Sequence, residues 1–317
     1  MTVKFINLRD ILLSIAAANL FLFGAATVSA QDEQERRLWD GAFLKKRAEA
    51  KKPSADSSAQ KSTAYKRVTP KKPAAQDTKP KSPDASNQPE EKADSEMIGI
   101  TIWRLRPARD DDSRDSRLLI EDESKKETEW MPERVEDETV FAPKDKVRLS
   151  IESPRDGYLY IIDREQYKDG KVSDPYLIFP TLRSREGANK VGAGKLIELP
   201  SGQNAFSLDP LRPDYVGEAL TLLVTPEPLT DLKPTSNQPK KLDPEMVERW
   251  ESEWAGVVER YELVGGAGKP YTKAEKEAGQ GDKRILTQDD AMPQTLYHVR
   301  VQNGKPLVLR VGLRIKK

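Results

Sequence analysis

Between Val147 and Pro228 the chain repeats short β-rich runs at hairpin spacing, each bounded by turn residues: VRLSIE, GYLYIID, PYLIFP, KLIEL, AFSL and GEALTLLVT. Strands of about five residues are not stable alone, so a series of them separated by Pro, Gly and Asp must stack into sheets. Val147, Leu149 and Ile151 alternate with Arg148, Ser150 and Glu152, the pattern of a half-buried antiparallel strand. The turn Ser153-Pro154-Arg155-Asp156-Gly157 then reverses the chain into residues 158–163, which are apolar on both faces. No stretch here alternates strand with helix. The pattern therefore predicts a mainly β fold, an antiparallel sandwich that is Ig-like in general architecture.

Flanking segments extend this body to residues 96–317. Residues 97–105, MIGITIWRL, predict a first strand with both faces partly buried. Residues 107–138 are dense in acid and base and read as a solvated loop. Asp110, Asp111 and Asp112 suggest calcium, but three successive side chains do not converge easily and arginines flank them. Asp243-Pro244 is an N-cap followed by proline, predicting one amphipathic helix over about 243–264. Its stripe runs Val247, Trp250, Trp254, Val257 or Val258, and Tyr261. Trp250 and Trp254 suit either stacking on a sugar or docking of the helix onto the sandwich, and docking is the commoner use of such a stripe. Residues 295–302 and 306–315 flank Asn303-Gly304, the signature of a two-residue β-hairpin, predicted over about 295–315.

Ahead of the body lie two segments of different character. Lys4 and Arg9 precede an apolar run from Ile11 to Ala26, and Val28-Ser29-Ala30 supplies small residues before Gln31. This predicts a signal peptide over residues 1–30 cleaved after Ala30, hence a periplasmic or extracellular protein, with membrane contact only if the segment stays attached. Residues 31–95, rich in Lys, Pro and Ser, carry few large apolar groups and read as a disordered linker. Between Lys45 and Lys81 twelve basic residues face three acidic ones. Lys45, Lys46, Arg47, Lys51 and Lys52 are its densest part, a candidate contact for an anionic polymer. Nucleic acid is not an expected partner, because Tyr65 is the only aromatic residue among these charges.

The chain has no cysteine and a single histidine, His298, which rules out thiolate metal sites, disulfides and a cysteine nucleophile. GGAGKP and VGAGK lack the spacing of a phosphate-binding loop, and no Gly-x-Ser-x-Gly elbow accompanies His298. No metal or cofactor is expected. Glu152, Asp156, Asp163 and Glu218 are the carboxylates from which a hydrolytic pair would be drawn.

The ordered motifs GYLYIID, YLIFP, ANKVGAG, IELP, FSLD and GEALTLLVTPEPL resemble the bacterial domain-of-unknown-function family 4384, over about residues 141–229 or, with the preceding strand, from residue 97. The resemblance implies a small β-rich module of exported or surface-linked bacterial proteins and supplies no catalytic residue. The expected function is an exported, non-catalytic binding or structural module of the cell envelope. The alternatives are an envelope hydrolase using paired carboxylates and a protein-interaction domain of a sensor or secretion complex that pairs through a sheet edge.

Overall fold

The computed structural model describes residues 43–49, 64–68, 93–121, 127–210, 212–279, 284–302 and 304–316. The signal segment, Lys51, Lys52, Asn303 and most of the linker lie outside these residues. In chain order the strands are β1 (Tyr65–Val68), β2 (Ala93–Pro107), β3 (Leu118–Glu121), β4 (Glu127–Val135), β5 (Val140–Phe141), β6 (Lys146–Glu152), β7 (Gly157–Tyr167) and β8 (Tyr176–Phe179). They continue as β9 (Lys190–Val191), β10 (Leu196–Leu199), β11 (Phe206–Ser207), β12 (Tyr215–Thr225), β13 (Lys240–Lys241), β14 (Val257–Leu263), β15 (Thr295–Gln302) and β16 (Leu307–Ile315).

These strands form two sheets, as the periodicity predicts. The first runs β1-β14-β15-β2-β4-β3, with β6 on the other side of β2 and β10 and β11 on β6. The second runs β13-β8-β7-β12-β16-β5, with β9 on β7. Every pairing is antiparallel except β5 with β16. Ile98, Ile100 and Ile102 of β2, with Val147, Leu149 and Ile151 of β6, meet Leu159, Ile161, Leu220, Leu222 and Val224 of the facing sheet in one buried core. A second cluster lies on the far side of the second sheet, where Tyr160, Ile162 and Leu223 pack against the helix Pro244–Glu253.

Four expectations are corrected. First, the predicted hairpin is an arch: β15 pairs with β14 and β2, whereas β16 pairs with β12 and β5 in the opposite sheet. Gly304, at φ +75°, turns the chain, but Leu307, Leu309 and Val311 bury against the facing sheet rather than beside β15. Second, the helix ends at Glu253 and β14 begins at Val257. Gly256 sits where a Cβ would lie 2.5 Å from the Arg300 carbonyl oxygen, and the β-branched Val257 and Val258 then pair with β15. Asp243 caps the helix as expected, its side chain accepting from the Glu245 N–H.

Third, the charged stretch 107–138 contains β3 and β4, which extend the first sheet from the end of β2. Leu118 and Ile120 face inward with Leu105, and Asp112 pairs with Arg106 at 2.7 Å. That hydrogen-bonded guanidinium holds the Asp112 carboxyl well below its ordinary range, so Asp112 is engaged by an arginine and not by solvent alone. Fourth, two pieces of the supposed linker belong to the body. β1 pairs with β14, and Tyr65 is buried with its hydroxyl donating to the Pro293 carbonyl at 2.5 Å. Phe43 and Arg47 are buried as well.

Candidate functional site

In the first sheet the strand faces that point away from the core carry Thr101 and Trp103 on β2, Arg134 on β4, Arg148, Ser150 and Glu152 on β6, and Glu198 on β10. All are buried. Alternation alone assigns such residues to solvent. Here they are roofed by Tyr271, by the short helix Lys273–Gly279 with Glu275 and Ala278 buried beneath it, and by the segment Phe43–Ala48.

Buried charges in such a layer must be paired, and these are. Arg47 grips Glu152 with two parallel bonds, Nε to Oε1 at 2.8 Å and Nη2 to Oε2 at 2.7 Å, and its Nη1 donates to the Asp290 carbonyl at 2.8 Å. Arg134 pairs with Glu275 and donates to the Met292 carbonyl at 2.8 Å, its guanidinium over the Trp103 ring. Arg148 donates to the carbonyls of Gly202 and Asn204 and meets Glu198 at 3.2 Å. Glu198 also accepts from the Tyr271 and Ser150 hydroxyls, and Trp103 Nε1 donates to Ser150 at 2.7 Å. Trp103 and Tyr271 meet edge to face at 4.7 Å. Burial pushes the Glu152 and Glu198 carboxyls up, against the pull of Arg47 on one and of Arg148 and Tyr271 on the other. The Tyr271 hydroxyl is raised by burial and by the adjacent Glu198.

A cleft of about 460 Å³ opens at the end of this layer, lined among others by Leu118, Arg148, Arg185, Glu198, Tyr271 and Lys276. Arg185 and Glu186 stand in the left-handed region, at φ +53° and +55°. This is an uncommon conformation for residues with side chains. Lys276 reaches the rim from the short helix, donating to the carbonyls of Asp115 at 3.0 Å and Arg117 at 2.8 Å. Gly279 completes the wall: a Cβ there would lie 2.1 Å from Glu198 Cδ. The acid on its floor, Glu198, is held by three donors, Arg148, Tyr271 and Ser150.

The remaining sequence candidates fall elsewhere. Of Glu152, Asp156, Asp163 and Glu218, only Asp163 and Glu218 are brought together. They lie close together on adjacent strands, and burial, then Glu218, raises Asp163 to about 8. Asp163 Oδ1 and Glu218 Oε2 are closed to solvent, whereas a hydrolytic pair must reach a glycosidic bond placed between its carboxyls. Asp156 accepts from the Ala193 N–H at 3.1 Å and organises a turn. His298 is buried between Glu259, 3.2 Å from Nδ1, and Ser95 at Nε2, and burial holds it below its ordinary value. No group of side chains suited to a metal ion occurs among the described residues.

Trp250 and Trp254 stack at 5.6 Å with planes 10° apart and pack against the cluster beneath their helix, which is the docking use. Lys45 and Lys46 are exposed while Arg47 points inward to Glu152, so these three do not form one basic patch. Arg148, Arg185, Glu198, Tyr271 and Lys276 were not singled out by the sequence. Each comes from a different element, and no local spacing connects them. Comparison of the chain with models of known families, with curated proteins and with solved structures finds no match.

Proposed function

We propose that the chain is an exported, non-catalytic binding module of the bacterial cell envelope, of the kind its resemblance implies, and that the cleft between Arg185, Tyr271 and Lys276 holds its ligand. The observation that carries this reading is the closed ionic floor of the cleft. Glu198 is held by Arg148, Tyr271 and Ser150, so the site offers a preorganised polar wall without an unengaged acid or base. Leu196, with the buried Leu118 and Tyr271 behind, gives it an apolar lining, and Arg185 and Lys276 give its rim positive charge. Such a lining selects a small ligand with an apolar face and a carboxylate, the chemistry of glycopeptide fragments of the cell wall. Export is supported by the apolar run and small-residue site ahead of Gln31.

The test is calorimetric titration of the full chain with soluble, carboxylate-bearing glycopeptide fragments, followed by analysis of the fragments after incubation. Binding that weakens about tenfold in R185E and K276E, with the fragments recovered intact, supports the reading. Unchanged affinity in both variants removes the cleft as the site, and cleaved fragments remove the non-catalytic assignment.

A further inference from the structure

On the opposite flank of the sandwich the two sheets do not end together. The arch from β15 to β16 sets those strands in facing sheets, and the first sheet then continues through β14 and β1. In the second sheet β16 is paired along one side by β12, from Gly217–Arg314 to Val224–Leu307. On its other side, among the described residues, it meets only β5, at Arg314 and Ile315. Among the described residues, 307–313 therefore present an unpaired strand edge about 23 Å long.

Beside that edge lies a groove of about 460 Å³, walled by Arg310 and Arg314 of β16 and by Val258 and Arg260 of β14, with Asp137 and Tyr297 also in its lining. Val257, Val258 and Val140 are exposed nearby. The charges are layered by depth. Arg67 is 47% exposed above Glu259 at 15%, Arg300 is 52% exposed above the same carboxylate, and Arg310 is 66% exposed above Glu251 at 6%. In these three pairs the arginine screens the carboxylate, whereas Glu138, 43% exposed, lies outside Arg260 at 19%, so the surface offered to a partner is mostly guanidinium.

We infer that this groove receives an extended acidic segment of a partner protein, which adds to the second sheet as a strand beside β16. Strand addition draws affinity from main-chain hydrogen bonds along the edge and specificity from alternate side chains. Here one set of side chains meets Val258 and the other meets Arg310 and Arg314. Arginines on an edge also guard against aggregation, and that role alone requires no bound strand.

The probe is a capped heptapeptide of alternating Glu and Val, added to the full chain at low salt and followed by fluorescence anisotropy and amide hydrogen exchange. The expected result is binding that slows exchange at residues 307–313 and weakens at least tenfold in R314E. It is also expected to vanish for a Lys/Val heptapeptide and for one with proline at its centre, which cannot extend the ladder. No binding at millimolar peptide overturns the inference, as does protection elsewhere or equal binding by the Lys/Val peptide. Protection of 307–313 that rises with protein concentration alone assigns the edge to a second copy of this chain and equally overturns it.

Discussion

The Asp163–Glu218 contact makes stability depend on pH in a direction opposite to that of most carboxylates. Asp163 Oδ1 and Glu218 Oε2 are buried without a protein donor, while the other oxygen of Glu218 accepts from the Tyr215 hydroxyl. A proton held between the two facing carboxyls satisfies both. Burial and the neighbouring Glu218 raise Asp163 to about 8, with Glu165 adding to the repulsion and the Arg164 backbone N–H opposing it. The unfolded chain loses this proton near pH 3.9. Between those values the folded state binds more protons than the unfolded one, so stability falls as pH rises, by about 1.4 kcal/mol per unit, and levels off above the folded value. At pH 7 the ceiling on the loss is about 4 kcal/mol, and relaxation with water entry leaves ~2 kcal/mol or more. D163N keeps a donor facing Glu218 and cannot ionise. Urea unfolding at pH 5, 6, 7 and 8 is expected to show the variant gaining on the wild type at each step, with equal slopes in denaturant. Glu262, raised to about 7 by its own burial, titrates in both proteins and cancels in the difference. A wild-type-to-variant gap that is constant across pH, or one that shrinks as pH rises, refutes the shared proton.

Two other substitutions probe how the body is assembled. R47A leaves Glu152 buried without its guanidinium and is expected to cost about 3–5 kcal/mol in urea unfolding; a loss under 1 kcal/mol shows that the segment Phe43–Ala48 is not part of the folded unit. W250A removes a half-buried ring from the helix docked on Tyr160 and Ile162 and is expected to lower stability by about 2 kcal/mol while binding in the Arg185–Lys276 cleft, measured by the same titration, stays unchanged.

Sequence periodicity located the strands of the central region to within two or three residues at most ends, because there each run is apolar on the faces that bury and is bounded by turn chemistry. What it reported less well is what each strand pairs with. Asn303-Gly304 is turn chemistry of the hairpin type, yet β16 buries Leu307, Leu309 and Val311 on one face against the facing sheet, with Val308 buried beside the exposed Arg310 on the other. β15, already flanked by β14 and β2, had no side left for it, and β16 crosses to the second sheet to pair with β12. The overrun of the helix past Glu253 has a similar origin. Val257 and Tyr261 continue the spacing of Val247, Trp250 and Trp254, but Gly256 followed by two valines is also where a helix gives way to a strand, and the strand's long-range pairing decided it.

The candidate site was hidden for a more general reason. Alternation of Val147, Leu149 and Ile151 with Arg148, Ser150 and Glu152 states which residues are polar, and a polar face is compatible with water or with a covering layer that matches it charge for charge. Only the cover separates the two, and its parts are scattered: Arg47 in a lysine-rich stretch, Tyr271 after a glycine turn, Glu275 in a seven-residue helix. One basic residue among twelve and one tyrosine among those charges carried no local mark of burial. Their value comes from meeting Glu152 and Pro293 across more than a hundred positions of chain, which no window of sequence contains. On the opposite flank, likewise, exposed arginines lie above buried carboxylates at Glu259 and Glu251, and among the described residues no strand pairs with 307–313 on that side of β16.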